Sequence, residues 1–458
     1  MNRFWKKDKR LLCLCVVALA TWTVAGLSLD RSDVCAHVFD LYGCTSRGVA
    51  MGSAMAGIAG DAAGLYYNPA TISEVEDYLF SLSYFYADQT LKIDGMDTDV
   101  DAQSGLVIAT VIPSRPFGIK VCGGALFYVP DKRLARYLLM PKDRPRFVLY
   151  SNEAQRLTTL LPVAIQITSW LSIGAGVSFL MEMSGKEELF VSESWTGRPS
   201  VGKHAEDFRP VFAPYGGVLF KCKDWLRLGI SYADKSEFRI EVTPVVILPD
   251  MYVDSGMPIP LIRQTRIDAI GSQASHFSPA QLVTGLSVRL LSRLTLATSL
   301  SWVRWSQFEE YAPSVKLILS GPPGNLGDWV DIFEYPIPPP DFHDIIVPAA
   351  GVEYRALTAR HIDLDVRVGY FYRPTPVPAQ TGVTNFIDSD IHAPSFGLGV
   401  TLKDLFRVIT KPLSLDVHFQ YQLMTKRRTI KEDPGDPVGD YESSGSILNI
   451  GGTMTVRF

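Results

Sequence analysis

From residue 78 to the end of the chain, apolar and polar residues alternate with few interruptions. Leu413, Leu415, Val417, Phe419, Tyr421 and Leu423 interleave with Ser414, Asp416, His418, Gln420 and Gln422. Ile362, Leu364, Val366, Val368 and Tyr370 interleave with Asp363, Asp365, Arg367 and Gly369, and the stretch around Leu294–Trp302 repeats the pattern. A strand sends successive side chains to opposite faces, so each of these segments has one greasy and one wet side. A helical period would mix both classes around the cylinder. Fourteen strands are predicted, near 78–89, 102–113, 117–129, 152–168, 170–184, 208–222, 225–243, 276–290, 293–308, 344–357, 360–373, 393–404, 412–427 and 445–458.

The connections alternate as well. Short links at 114–116, 169, 223–224, 291–292 and 358–359 take turns with long ones at 130–151, 184–208, 243–275, 309–343 and 373–392. Short periplasmic turns opposite long outer loops are the arrangement of outer-membrane barrels. Lipid cannot satisfy the backbone groups of an open sheet edge, so a spanning sheet must close, greasy face outward. Tyr84, Tyr86, Trp302, Trp305, Tyr370 and Tyr372 near strand ends suit interfacial girdles. The fold class expected is all-β: a 14-stranded antiparallel transmembrane β-barrel.

One segment breaks the alternation. Residues 43–70, GCTSRGVAMGSAMAGIAGDAAGLYYNPA, are crowded with Gly and Ala and close on Tyr66-Tyr67-Asn68-Pro69-Ala70. With so little side-chain bulk it can lie against other backbone at close range, yet it is too poor in large apolar residues to found its own core. It therefore needs an outer wall, and the division expected is 1–25 signal peptide, 26–77 N-terminal extension and hatch, and 78–458 barrel.

Composition agrees. Hydrophobic residues make up 47% of the chain and mean hydropathy is +0.11, but beyond the N-terminus no run reaches the ~18 apolar residues of a spanning helix. Arg3, Lys6, Lys7, Lys9 and Arg10 precede the apolar run 11–27, and Thr23-Val24-Ala25 offers small residues for cleavage after Ala25. Loss of those five basic residues and Asp8 leaves 39 basic and 47 acidic residues, a net charge of −8. That speaks against a nucleic-acid partner. Cys35 and Cys44 flank a short loop and could pair in an exported chain; Cys122 and Cys222 read as small buried apolar residues. A terminal strand ending on Phe458 resembles the signal read by barrel-assembly machinery, so that machinery and outer-membrane lipids are the expected partners of a monomer in the outer membrane of a Gram-negative cell.

The stretch 46–73, SRGVAMGSAMAGIAGDAAGLYYNPATIS, followed directly by alternating strands, resembles the N-terminal hatch of the FadL/TodX family of outer-membrane transporters of hydrophobic compounds. Leu161-Pro162, Leu171 to Val177, Pro279-Ala280-Gln281 and Gly285 to Val288 resemble that family's strand pairs. The resemblance implies a barrel plugged from the periplasmic side by the hatch and passive uptake of long-chain fatty acids or aromatic hydrocarbons, and long-chain fatty acids are the expected ligand. It implies capture in a groove between the outer segments 184–208 and 243–275, where Val246, Leu248, Met251 and Tyr252 are unusually apolar. It also implies an apolar pocket above a hatch carrying Gly52 and Gly57, and lateral exit at a kink in the third strand. Gly123 and Gly124 suit that bend, since paired glycines tolerate bulges; Asn68-Pro69-Ala70 matches the family's NPA element, expected nearby. The chain departs from the family in its longer extension before the hatch and in offering no clear Arg/Lys cluster for a carboxylate.

Other chemistry is sparse. His361, Asp363 and Asp365 share a strand face, where a polar lumen wall is favoured over a metal site. No cofactor is expected: the Gly-rich segment lies outside any βαβ unit, so it is not a dinucleotide loop, and Asp61 suits chain turning or backbone capping. No GxSxG or HExxH spacing appears, and the chain is not expected to be an enzyme. Burying one methylene yields ~0.8 kcal/mol, so about ten approach micromolar affinity before ordering costs. A general polar porin and a barrel enzyme acting on lipids remain the alternatives.

Overall fold

In a computed structural model, the chain is described over residues 37–131, 145–150, 156–190, 201–242, 245–248, 251–253, 259–262, 265–308, 314–320, 341–382, 384–403 and 411–458. The expected signal peptide and Cys35 lie outside these residues. Fourteen antiparallel strands form the wall: β1 (Leu79–Ile93), β2 (Gln103–Ser114), β3 (Val121–Pro130), β4 (Thr158–Gln166), β5 (Leu171–Phe190), β6 (Val201–Lys223), β7 (Leu226–Ala233), β8 (Gln281–Leu291), β9 (Leu294–Val303), β10 (Ile345–Thr358), β11 (Ile362–Arg373), β12 (Ile391–Leu402), β13 (Leu413–Thr429) and β14 (Tyr441–Arg457). Each pairs with its neighbour, and β14 returns to β1 from Leu79↔Arg457 to Ile93↔Ser443, closing the cylinder. Among the described residues no helix is long and apolar enough to cross a membrane; the spans are strands.

The faces fall as the alternation predicts. Leu415, Val417, Phe419, Tyr421 and Leu423 of β13 are exposed on the outer wall, while His418, Gln420 and Gln422 are buried in the bore. On β11, Val368 and Tyr370 face out and Asp363, Asp365 and Arg367 face in. Four girdle candidates, Tyr84, Tyr86, Trp302 and Tyr370, lie on the exposed surface, but Trp305 does not. It belongs to a 3-10 turn (Trp305–Gln307) that folds inward, 3% exposed, beside Phe277 and Phe342. Cys122 is buried as expected; Cys222 is exposed near the end of β6.

The outer connections contain more strand than their sequence suggests. β5 and β6 run on as one hairpin to Phe190 and Val201, and strands Ser236–Val242, Val245–Leu248 and Ser314–Ser320 pair with Thr265–Ser278. Above the bilayer a hairpin can be wet on both faces, so the ladder continues where hydropathic alternation fades.

Inside the cylinder sits the Gly/Ala segment, folded as α1 (Val38–Tyr42), α2 (Ser46–Ala50), α3 (Gly64–Tyr67) and a 3-10 turn (Pro69–Glu74). Thr45 caps α2 by accepting from the Gly48 N–H, and Asn68 caps the 3-10 turn by accepting from the Ala70 N–H. These helices are too short to persist alone in water; the wall holds them.

Candidate functional site

The hatch is seated by missing side chains on both partners. Gly52 adopts φ +62, and a Cβ there would lie 2.5 Å from the Tyr370 backbone nitrogen; one at Gly57 would lie 3.1 Å from the Gly285 carbonyl oxygen. The wall answers with glycines of its own, paired across neighbouring strands: Gly351↔Gly369, Gly229↔Gly285 and Gly174↔Gly217. A Cβ on Gly369 would overlap the Gly52 nitrogen, one on Gly229 the Ala56 carbonyl, and one on Gly217 the Asn68 side chain. Sequence reading noticed the glycines of the hatch and overlooked this belt.

The belt divides the bore into layers, and the division runs along single strands. From the outer end, the inward positions of β8 read Gln281, Val283, Gly285, Ser287, Arg289. Those of β10 read Ile345, Val347, Ala349, Gly351, Glu353, Arg355, and those of β11 read Arg373, Phe371, Gly369, Arg367, Asp365, Asp363. Below the outermost polar positions Gln281 and Arg373, apolar residues lie above the hatch, glycine beside it and charge beneath it. This order was present in the sequence; the signal is a lone inward glycine dividing apolar from charged positions on successive strands.

Asn68, fully buried, joins hatch to wall. Its Nδ2 donates to the Ala56 carbonyl at 2.8 Å and to the Val218 carbonyl of β6 at 3.2 Å. The Ser231 hydroxyl donates to the Tyr67 carbonyl at 2.8 Å, and the Tyr215 hydroxyl to the Leu65 carbonyl at 2.9 Å. The wall glycine facing Pro69 and Ala70 is Gly174 of β5. The NPA element thus lies against β5 and β6, while Leu65 of α3, Val75 and Phe39 reach β3.

At β3 the ladder to β4 is interrupted. Gly123↔Val163 and Leu126↔Leu160 pair, while Gly124 and Ala125 stand unpaired opposite Leu161 and Pro162, with no change of register. Pro162 has no N–H to donate, which helps account for the break. The Leu65 side chain fills the place of a Gly124 Cβ, whereas nothing lies within 4 Å of the Cβ position on Gly123. Gly124 and Ala125, with Gly123 at their edge, therefore mark a gap in the hydrogen bonding between two strands, with the Leu65 side chain against it from within.

Above the hatch is a cavity lined by Phe39 and Tyr66 of the N-terminal segment and by Val283, Val303, Val347 and Phe371 of the wall. Phe277, Phe308, Phe342 and Phe386 pack edge-on or tilted at its outer end, with neighbouring ring centres 5.2 to 5.6 Å apart. Two charged residues line it, Asp40 and Arg373. Asp40 accepts from the Tyr66 hydroxyl and from Gln281 at 3.0 Å. Arg373 donates to the Tyr150 hydroxyl, lies over that ring at 5.4 Å, and is 3.8 Å from the Asp388 carboxylate.

Beneath the hatch the contacts are ionic. Arg47 of α2 grips Glu353 with two hydrogen bonds of 2.8 Å and reaches Asp61 at 3.0 Å. Arg367 joins Glu353 to Asp416, Arg355 holds Asp365 at 2.9 Å, and Lys403 holds Asp363 at 2.6 Å. The face bearing His361, Asp363 and Asp365 is thus polar lumen wall, and among the described residues no cluster suited to a metal is found. Asp61 also caps locally, accepting from the Ala63 N–H at 3.1 Å.

The backbones of Val246 and Leu248 lie in the strand Val245–Leu248, which pairs with β5, and those of Met251 and Tyr252 in a strand paired with Ile259–Ile262. Cys44 is a buried thiol whose backbone N–H donates to the Tyr67 hydroxyl at 3.3 Å, and burial pushes its ionisation well above the ordinary range; its expected partner Cys35 lies outside the described residues.

Comparison with known proteins agrees with this architecture. The chain is 21% identical to alkane uptake protein A of Marinobacter nauticus, over 98% of this chain and 96% of that one. Its fold is similar to that of a Pseudomonas aeruginosa FadL homologue (TM-score 0.56, 15% identity, 90% of this chain and 98% of that one). It is also similar to that of the Ralstonia pickettii toluene transporter TbuX (TM-score 0.52, 17% identity, 92% and 100%). The family model for outer membrane protein transport proteins (OMPP1/FadL/TodX) matches residues 32–458. With the closed barrel and its hatch, this establishes the chain as a member of the OMPP1/FadL/TodX family of outer-membrane transport proteins.

Proposed function

We propose that the chain mediates passive uptake of hydrophobic compounds across the outer membrane, with uncharged hydrocarbon chains favoured over long-chain fatty acids. The path begins at the outer segments carrying Val246, Leu248, Met251 and Tyr252. It continues through the cavity above the hatch and leaves sideways between β3 and β4 at Gly123–Gly124, once Leu65 withdraws. A bound chain gains apolar burial at every methylene, and a gap in the wall lets it reach lipid without crossing the charged underside.

One observation carries the choice of ligand. The cavity presents a carboxylate, Asp40, while the one cation lining it among the described residues, Arg373, donates to Tyr150 and lies 3.8 Å from Asp388, leaving its buried Nε without a partner. A fatty-acid carboxylate placed there meets like charge in a low-dielectric site, whereas an alkane loses nothing. Alkane uptake by the Marinobacter relative points the same way.

The test compares binding of hexadecane and hexadecanoate to the purified barrel, by competition against a fluorescent hydrocarbon. Hexadecane is expected to bind at least tenfold more tightly, and Asp40→Asn to narrow the difference. Tighter binding of hexadecanoate by the unaltered protein would overturn the preference for neutral chains.

A further inference from the structure

A second cavity lies on the periplasmic side of the hatch, bordered by Ile58 and Ala59 and by strands β7 to β11. Its chemistry is opposite to that of the upper one. Five arginines line it, Arg47, Arg227, Arg289, Arg293 and Arg355, against two carboxylates, Glu353 and Asp365. Both carboxylates are taken: Glu353 by Arg47 and Arg367, Asp365 by Arg355 and, at 3.7 Å, by Arg367. Glu74 lies 2.8 Å from Lys221 and only 3.5 Å from Arg227, whose Nε is buried without a hydrogen-bond partner. Among the described residues, the guanidinium groups of Arg289 and Arg293 have no ion-pair partner.

These cations come from β7, β8 and the β8–β9 turn; Arg289 and Arg293 are four positions apart, but Arg227 precedes them by more than sixty, so no run of basic residues announces the three. The backbone holds them in place. Arg289 N–H donates to the Trp225 carbonyl at 2.7 Å, and the Arg293 carbonyl accepts from Arg355 N–H at 2.8 Å. Ser287, Ser292 and Thr295 add hydroxyl donors to the same cavity. Unpaired guanidinium groups with hydroxyls around a recess match the planar or tetrahedral oxygens of an oxyanion.

We propose that Arg227, Arg289 and Arg293 form an oxyanion-binding site beneath the hatch, which takes a carboxylate or phosphate group, free or at the head of an amphiphile. An anion held there rests against Ile58 and Ala59, beside the segment that Gly57 seats on β8, so its binding is coupled to the seating of the hatch. The site is separate from the apolar cavity and does not depend on which compound that cavity takes.

The experiment uses the full chain in an uncharged detergent at low ionic strength, titrated calorimetrically with inorganic phosphate, dodecanoate below its micellar concentration, and dodecanol. The variant is Arg289→Gln with Arg293→Gln, at two exposed positions; the matching Lys pair keeps the charge. The Gln pair is expected to weaken the anions at least tenfold and leave dodecanol unchanged, with the Lys pair recovering much of the loss. Weakening of phosphate alone assigns the site to phosphate groups, and weakening of dodecanoate alone assigns it to carboxylate amphiphiles. Unchanged affinity for both anions in the Gln pair, or no anion binding by the unaltered chain, overturns the proposal. Failure of dodecanol to bind the unaltered chain counts against the apolar cavity as a ligand site and leaves the oxyanion site standing.

Discussion

Above the hatch the bore is lined by Phe39, Tyr66, Val283, Val347 and Phe371; below it, by Arg47, Arg289, Glu353, Arg355 and Asp365. The same strands supply the wall of both compartments, and their lipid-facing sides do not register the change. Inward positions are therefore free to vary with depth, because the bilayer constrains only alternate residues. The glycine belt sets the boundary. Where backbone meets backbone no side chain intrudes, and the apolar lining ends at the belt.

Filling the belt should do the most damage to this division. Gly229→Val would drive a side chain into the Ala56 carbonyl, and overpacking against rigid backbone costs about 3 kcal/mol or more. The expected outcome is a barrel that no longer shows heat-modifiable mobility on gels, while Gly123→Ala, with open space around it, stays within about 0.5 kcal/mol of the parent. A tolerated Gly229→Val would mean that the hatch does not bear on the wall there.

Next is the ionic underside. Glu353→Gln leaves Arg47 and Arg367 facing a neutral amide, and breaking a buried pair typically costs about 3–5 kcal/mol. Limited proteolysis should cleave the hatch markedly faster in this variant, with binding in the upper cavity less affected than hatch protection. Equal cleavage rates would indicate that the glycine belt alone holds the hatch.

The smallest of the three effects is expected at Asn68. Asn68→Ala removes two donated hydrogen bonds and one cap and strands buried carbonyls, at about 1–3 kcal/mol. A lowered urea midpoint with an unchanged barrel spectrum would place that loss in the hatch; loss of the barrel signal itself would show that Asn68 supports the wall as well.

Much of this fold was legible because bilayer and backbone leave a chain few options. Alternation over β11 and β13 follows from lipid outside and water inside, and the even strand count puts both ends of the barrel on one side. The Gly/Ala leader stood out by its composition. What stayed hidden depended on contacts distant in sequence. Arg47, Glu353, Arg367 and Asp416 form one network across 370 positions, and Arg227, Arg289 and Arg293 converge only once β7 and β8 lie side by side. Gly285 or Gly369, taken singly, is an ambiguous strand glycine; only its register partner reveals the belt. Trp305 misled for a related reason: an aromatic at a strand end suits a girdle as well as an inward turn, and Phe277 and Phe342, which decide the matter, come from other loops.

The leader also grips the line along which the cylinder closes. The Asn449 and Gln422 amides donate to the carbonyls of Tyr42 and Leu41, Ser46 meets Thr453 and His418, and the Tyr42 ring stacks on Phe85 of β1. Three strands at the closing seam thus share one tenant. By reciprocity, whatever free energy a docked leader lends to zipping β1 onto β14 is returned when a zipped seam holds the leader. The leader and the last strand of the barrel, made at opposite ends of synthesis, hold each other's folded state in place.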